Sequence, residues 1–162
     1  MSEPKRPRGT LRFETDDPHA VPIRDAATVM LLRDGDDGLE VFMLLRNLQS
    51  DFVGGAYVFP GGGVDEADGP SGSDESFRLA AIRESFEEAG LLLATDVDGA
   101  VVSFRDPAVA ARFAEHRRAV DSGERSILDI CREESLRPAT DALVPFSRWV
   151  TPLGSPRRYD TR

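Results

Sequence analysis

The sequence has a single cysteine and no long hydrophobic run. Cys131 has no second cysteine to pair with in the chain, which excludes an internal disulfide and is typical of a protein in a reducing compartment. Its interpretation as a small buried apolar residue is favoured over that of a reactive thiol. No apolar stretch approaches the ~20 residues of a membrane-spanning helix, and the first residues lack the apolar segment of a secretory signal. A cytoplasmic location is therefore expected.

Positive charge is also scarce. The chain has 20 lysines and arginines against 29 aspartates and glutamates, for a net charge of −9. This balance argues against nucleic acid or an anionic membrane as a partner. It does not exclude an anionic small molecule, because a bound cation can reverse the local sign of the charge. With 162 residues, the chain has the length of one domain with its own core.

Local patterns predict an α+β domain over residues 26–162, preceded by a flexible arm over residues 1–25, which are rich in proline and charge. The runs "AATVMLLRD" and "LEVFMLLR", separated by "GDDG", predict a β-hairpin, and "AYVF" predicts a strand that ends at "PGGG". The pattern of "ESFRLAAIRESFEEAG" predicts a helix that stops at Gly90. A helical insertion is expected over about 106–142. The run "LVPFSRWVTP" predicts a strand, with Trp149 in the core rather than as a platform for stacking a base.

Three glutamates crowd one face of the predicted helix, centred opposite its apolar residues. Like charges at helical spacing destabilise a helix, and Arg78 and Arg83 are the only cations on this one. A solvated polar face is the ordinary interpretation of such glutamates. A divalent cation is the alternative, because Mg²⁺ or Mn²⁺ prefers clustered carboxylate oxygens and would turn repulsion into ligation. The three residues are Glu84, Glu87 and Glu88.

The stretch from Gly69 to Leu91 resembles the Nudix box, G-x5-E-x7-R-E-U-x-E-E-x-G-U, in which U is a bulky apolar residue. It fits every specified position except Ser85, where a small polar residue replaces an aliphatic one. The family's leading glycine usually belongs to a "PGG" turn. We therefore interpret Gly62 as the residue in that role, followed by an insertion of about seven residues before Glu75.

The resemblance implies a role for each matched residue. Glu84, Glu87 and Glu88 match the metal-ligating glutamates, with Mg²⁺ or Mn²⁺ as the cofactor. Arg83 matches the arginine that pairs with glutamate and fixes the loop-helix-loop, and Glu75 matches the outer glutamate. The implied catalytic set is thus Arg83 and the three ligands. The alternative for Arg83 is an ordinary ion pair on the helix surface.

Further residues are assigned more loosely. Arg46, Gly61 and Gly62 are candidates for binding the substrate, although Arg46 equally fits a cap on a strand end. His19 and His116 stand alone in polar segments and are predicted to be solvated rather than to bind metal.

The flanking segments "SDFVGGAYVFPGGGVDEAD" and "PATDALVPFSRWVTPLGSPRRYDTR" are similar to the coenzyme A diphosphatase branch of the family. The resemblance implies a Nudix-type α/β/α sandwich with a mixed β-sheet and a helical insertion after the Nudix helix. It implies hydrolysis of coenzyme A or acyl-coenzyme A to 3′,5′-ADP and a phosphopantetheine. The alternatives are hydrolysis of nucleoside-diphosphate sugars or other nucleotides, or a binding module or inactive fragment without catalysis.

The sequence stops at "RRYDTR", where the family continues into an apolar strand, more sheet and a second covering helix. We therefore expect the C-terminal part of the fold to be missing. An uncovered sheet face and an unpaired edge predict instability or association, for example as a homodimer.

Overall fold

The computed structural model describes residues 17, 19–46 and 55–162. Most of the predicted arm and residues 47–54 therefore lie outside the described residues. Within these ranges the chain forms three α-helices: α1 Asp74–Ala89, α2 Pro107–Asp121 and α3 Ile127–Glu133. It also forms ten short strands: β1 Ile23–Thr28, β2 Leu31–Gly35, β3 Gly38–Phe42, β4 Leu44–Leu45, β5 Tyr57–Val58, β6 Gly61–Gly63, β7 Ala94–Thr95, β8 Arg137–Pro138, β9 Trp149–Val150 and β10 Arg158–Thr161. None of the described helices is both long and apolar enough to cross a membrane.

The main sheet is mixed, with four strands in the order β6-β1-β10-β9. Strand β1 runs parallel to β10 and antiparallel to β6. The glycines expected to end a strand are themselves strand β6. Glycine is required there because a Cβ on Gly61 would lie 2.4 Å from the carbonyl oxygen of Ala27. The mixed sheet with its helices confirms the predicted α+β class.

The predicted hairpin is also confirmed. Strands β2 and β3 pair antiparallel, with Gly35 opposite Gly38 across the turn, and Gly38 has the positive φ of 123° that favours glycine. Strand β1 precedes the hairpin and begins at Ile23, inside the segment expected as the arm. The first predicted run, which started at Ala26, is therefore divided between two sheets.

Helix α1 begins and ends at its local signals. The side-chain oxygen of Ser73 caps the helix by accepting the N–H of Ser76 at 3.1 Å. At the other end, Gly90 adopts the left-handed conformation, with φ 70°. The side chains of Ile82 and Phe86 are fully buried, and each such burial contributes about 1.5–3 kcal/mol.

The helical insertion shares a core with α1. Asp106 caps α2 by accepting the N–H of Ala108 at 2.7 Å, and Ser126 caps α3. The ring of Phe113 on α2 meets that of Phe86 edge to face, with centroids 6.5 Å apart. The predicted amphipathic helices thus form and bury their apolar faces against α1.

Predictions for three single side chains have different outcomes. Cys131 is buried as predicted, and burial raises the pKa of its thiol to about 11. The placement of Trp149 in the core is wrong: its side chain is 70% exposed, since β9 is a two-residue edge strand. The prediction that His116 is solvated is wrong as well. Its ring packs edge-on against Phe113, and its Nε2 lies 2.9 Å from Oε1 of Glu134.

Candidate functional site

The site is built where the glycine strand β6 meets α1. A Cβ on Gly62 would lie 2.3 Å from Oε1 of Glu84. The N–H of Gly61 donates to Oε2 of Glu88 at 3.0 Å. The missing side chain at Gly62 thus leaves room for one carboxylate, and the Gly61 amide orients another.

Arg83 joins α1, β6 and the loop between them. Its Nη1 donates to Oε1 of Glu84 and to Oε2 of Glu87, both at 3.0 Å. Its Nη2 donates to the carbonyl of Gly63 at 2.6 Å. Its Nε and Nη2 donate to the two carboxylate oxygens of Asp68 at 3.0 and 2.9 Å. With its side chain only 7% exposed, Arg83 is the fixed centre of the site rather than a surface ion pair.

Asp68 is a site residue that was not predicted from the sequence. It lies in a short 3₁₀ turn before α1 and is 1% exposed. Its Oδ2 also accepts the backbone N–H of Asp65 at 2.9 Å, which closes the turn. A buried carboxylate bound twice to Arg83 fixes the guanidinium more firmly than an exposed pair would.

The outer acid of the box was assigned to Glu75, which is exposed in the first turn of α1. Among the described residues, Glu75 is not one of the carboxylates within salt-bridge distance of Arg83, whereas Asp68 is. When the spacing G-x5 is counted from Gly62 instead of Gly69, the acid falls on Asp68. That count is the signal in the sequence that finds it.

The cluster carries more negative than positive charge. Glu84 and Glu87 have side chains only 13% and 14% exposed, which excludes a solvated polar face for these two. Burial raises the pKa of Glu84 and brings that of Glu87 to about 7, although Arg83 opposes both shifts. The same guanidinium also faces Asp68, and Asp65 at 3.7 Å. One cation thus serves four carboxylates.

This donor set fits a hard divalent cation. Carboxylate oxygens are the ligands that Mg²⁺ and Mn²⁺ prefer, and added positive charge would offset the cost of burying these anions. The bonded oxygens of Glu84 and Glu87 both lie 3.0 Å from one nitrogen, so they are separated by at most twice that distance. Side-chain rotation toward the ion would be needed, because these two carboxylates face Arg83 and that of Glu88 faces Gly61.

A different set of side chains also brings possible metal-ligand atoms close together. In the part of the chain that the structure describes, one group of three, His116, Glu133 and Glu134, offers ligand atoms within 4.8 Å of one another. However, Arg112 donates to both oxygens of Glu134 at 2.7 and 2.9 Å, and its hydrogen bond lowers the pKa of that carboxyl. With a guanidinium bound to Glu134, this group forms an ion-pair network.

Ser85, the departure from the family's pattern, fixes the chain after α1. Its side chain is fully buried, and its hydroxyl donates to the carbonyl of Leu91 at 3.0 Å. The N–H of Leu91 donates in return to the carbonyl of Ser85 at 3.3 Å. An aliphatic residue could not make the first of these bonds.

The predicted substrate-binding residues lie in two places. Gly61 and Gly62 belong to the carboxylate cluster through their contacts with α1. Arg46 follows β4, and its backbone is hydrogen-bonded to the backbones of Gly55 and Ala56, on the other side of residues 47–54, which lie outside the described residues. Their role in substrate binding stays a prediction.

Comparison with known proteins agrees with this geometry. The family model described as the NUDT19 Nudix domain matches residues 69–162. "Acyl-coenzyme A diphosphatase NUDT19" of Gallus gallus is 29% identical over 201 residues, which cover 85% of this chain and 53% of that protein. "Peroxisomal coenzyme A diphosphatase ndx-8" of Caenorhabditis elegans is 36% identical over 91 residues, covering 56% of this chain and 36% of that protein. The chain thus spans about half the length of the first relative and less of the second.

A solved structure shares the fold. The "NUDIX hydrolase from Alicyclobacillus acidocaldarius" superposes with a TM-score of 0.73 at 27% identity, covering 88% of this chain and 68% of that one. The matched family model spans more than half of the sequence and includes α1 with Arg83 and the three glutamates. The chain therefore belongs to the Nudix hydrolase family, in the branch described by the NUDT19 Nudix domain.

Proposed function

We propose that this chain hydrolyses a diphosphate bond with the help of a divalent cation. Coenzyme A or acyl-coenzyme A is the preferred substrate, and the products are 3′,5′-ADP and the corresponding phosphopantetheine. The observation that carries the proposal is the cluster at Arg83, where one buried guanidinium faces four carboxylates at 2.9 to 3.7 Å. The side chains of three of these carboxylates, Asp68, Glu84 and Glu87, are at most 14% exposed, and their buried negative charge is costly unless a cation balances it.

Glu84, Glu87 and Glu88 would hold Mg²⁺ or Mn²⁺. When bound, such an ion supplies the positive charge that neutralises diphosphate oxygens and activates water. The residues of the chain bring these glutamates together beforehand, and the carboxylates then rotate toward the ion. Arg83 holds Glu84 and Glu87 through one nitrogen, and the Gly61 amide orients Glu88.

Fixed charges suit this reaction. The transition state of phosphoryl transfer leaves little covalent chemistry for the protein, so catalysis comes from positioning and electrostatic stabilisation. Groups held in place before the reaction avoid the cost of reorganisation. Arg83 provides that rigidity, since its five donor contacts to side chains and its bond to Gly63 join three segments of the chain.

Two observations support coenzyme A compounds as substrates. The names of the relatives include acyl-coenzyme A and coenzyme A diphosphatases. A cavity of about 390 Å³ adjoins the cluster at Gly63 and Asp65, and Arg24 and Tyr159 also line it. A guanidinium is suited to bind a phosphate, and an aromatic ring is suited to stack on a base. The volume of the cavity and these two side chains therefore suit part of a nucleotide.

The partner in this proposal is a small-molecule diphosphate, with neither nucleic acid nor a membrane involved. A cytoplasmic location is part of the proposal, although the name of ndx-8 describes that relative as peroxisomal. A homodimer stays a prediction from the sequence.

A hydrolysis panel tests the proposal. Coenzyme A, an acyl-coenzyme A, ADP-ribose and a nucleoside-diphosphate sugar are incubated with Mg²⁺, with Mn²⁺ or with chelator, and the products are separated by chromatography. We expect 3′,5′-ADP from the coenzyme A compounds only when metal is present. Cleavage confined to ADP-ribose or the sugar nucleotide would contradict the substrate assignment. Metal binding without any hydrolysis would favour a binding module.

A further inference from the structure

The C-terminal end of α1 carries two of the three candidate ligands but no cation of its own. Glu87 and Glu88 lie in the last turn, and no basic residue accompanies them there. The carbonyls at such an end have no partners within the helix and concentrate negative partial charge. Terminal turns also fray, so two side chains that share one ion need their backbone held from outside.

The turn that follows provides hydrogen-bond donors for only some of the carbonyls at this end of the helix. The N–H of Gly90 donates to the carbonyl of Phe86 at 2.9 Å, and that of Leu91 donates to the carbonyl of Ser85 at 3.3 Å. The next two carbonyls along the helix are those of the glutamates.

Arg117 of α2 binds both of those carbonyls. Its Nε donates to the carbonyl of Glu87 at 2.8 Å, and its Nη2 donates to that of Glu88 at 2.9 Å. The same guanidinium passes over Gly90, where an added Cβ would lie 3.3 Å from Nη1. The planar fork of arginine thus bridges consecutive peptide groups from a separate helix, a geometry that a single ammonium does not reproduce.

We propose that Arg117 is a positioning residue for the metal site: it holds the backbone of Glu87 and Glu88 so that both carboxylates serve one divalent cation. This inference rests on the proposed function. It makes the helical insertion a support of the site, because α2 brings Arg117 to the end of α1. Replacing a residue that orients metal ligands without contacting the metal itself typically changes metal affinity by about 10- to 100-fold.

The test uses Mn²⁺ alone as the probe. The variants are R117M, which keeps the length of the side chain without the donors, and R117K, which keeps the charge. The matched control is R118M, since Arg118 is an exposed neighbour that makes a 3.8 Å ion pair with Glu115. The affinity for Mn²⁺ is measured by electron paramagnetic resonance, and hydrogen exchange is followed at the Gly90 and Leu91 amides.

We expect R117M to bind Mn²⁺ about tenfold more weakly than the wild type, with R117K intermediate and R118M unchanged. Exchange at the two amides should accelerate in the Arg117 variants only. I130V, a buried substitution on α3, separates positioning from stability, because it should lower the melting temperature without altering the Mn²⁺ affinity.

Wild-type affinity in folded R117M overturns the proposal, whatever happens to its melting temperature. If R117M does not fold, wild-type Mn²⁺ affinity in R117K overturns the proposal instead. A wild-type chain that binds no Mn²⁺ overturns the proposed function as well. Unchanged Arg117 variants beside a wild type that binds Mn²⁺ overturn only the positioning role.

Discussion

Replacing Asp68 tests the architecture of the site, because the structure makes this buried acid the partner of Arg83. Removing one member of a buried ion pair costs about 3–5 kcal/mol. Arg83 would keep Glu84, Glu87 and the Gly63 carbonyl as acceptors, which favours the lower part of that range. We therefore expect D68A to lose about 3 kcal/mol of unfolding free energy. At 2–4 °C per kcal/mol for a chain of this size, the melting temperature falls by about 10 °C.

The matched control is E75A. Glu75 is exposed in the first turn of α1, where a carboxylate contributes about 0.3–1 kcal/mol through the helix dipole. Both variants would be unfolded with urea and followed by circular dichroism, with unchanged slopes showing that the same transition is compared. A larger loss in E75A than in D68A would refute the assignment of Asp68 as the acid that fixes Arg83.

Three further predictions concern the same region. S85A should lose about 0.5–1.5 kcal/mol in urea unfolding, because the hydrogen bond from its hydroxyl to the part-buried carbonyl of Leu91 is lost. S85L, which introduces the apolar residue of the family's pattern, should be no more stable because the fully buried site has no room for it; an S85L chain more stable than the wild type would contradict this. G62A should weaken Mn²⁺ binding in calorimetry, since its methyl group would overlap the Glu84 carboxylate, and unchanged affinity would show that the close approach is not needed. Without metal, the pKa of Glu87 is raised from 4.5 to about 7, so between these pH values the folded state binds more protons than the unfolded state. The free energy of unfolding should therefore fall by about 1–2 kcal/mol as pH rises through that window, a figure reduced for solvent screening at the open side of the cluster. Added Mn²⁺ should remove this fall, and urea unfolding at pH 5 and pH 7.5 with and without the ion measures both effects.

Elements with strong local signals could be predicted from the sequence. Helix α1 has a glycine after its last turn and apolar residues at helical spacing, so its end at Gly90 and its buried face follow from short-range rules. The hairpin has turn-forming residues, "GDDG", between two β-rich runs of the sequence. The helices of the insertion have their caps, Asp106 and Ser126, immediately before them.

Features set by contacts between distant segments could not be predicted in this way. The strand β6 reads as a turn because glycine favours turns, yet here glycine is needed for the approach of Ala27 and Glu84. Asp68 escaped notice because seven extra residues let the box pattern fit Glu75 instead. His116 is buried through its pairing with Glu134 on a later segment, which its polar neighbours in sequence do not reveal.

The most direct test of the central claim is a calorimetric Mn²⁺ titration of the wild type, E87Q and E75Q. The Glu87→Gln change keeps the size of a buried side chain while removing its charge, and the Glu75→Gln change removes a charge from an exposed position of the same helix. The acidic cluster at Arg83 predicts that E75Q binds like the wild type and that E87Q binds at least about tenfold more weakly. Equal Mn²⁺ affinity in all three proteins would contradict the claim that these glutamates hold the cation.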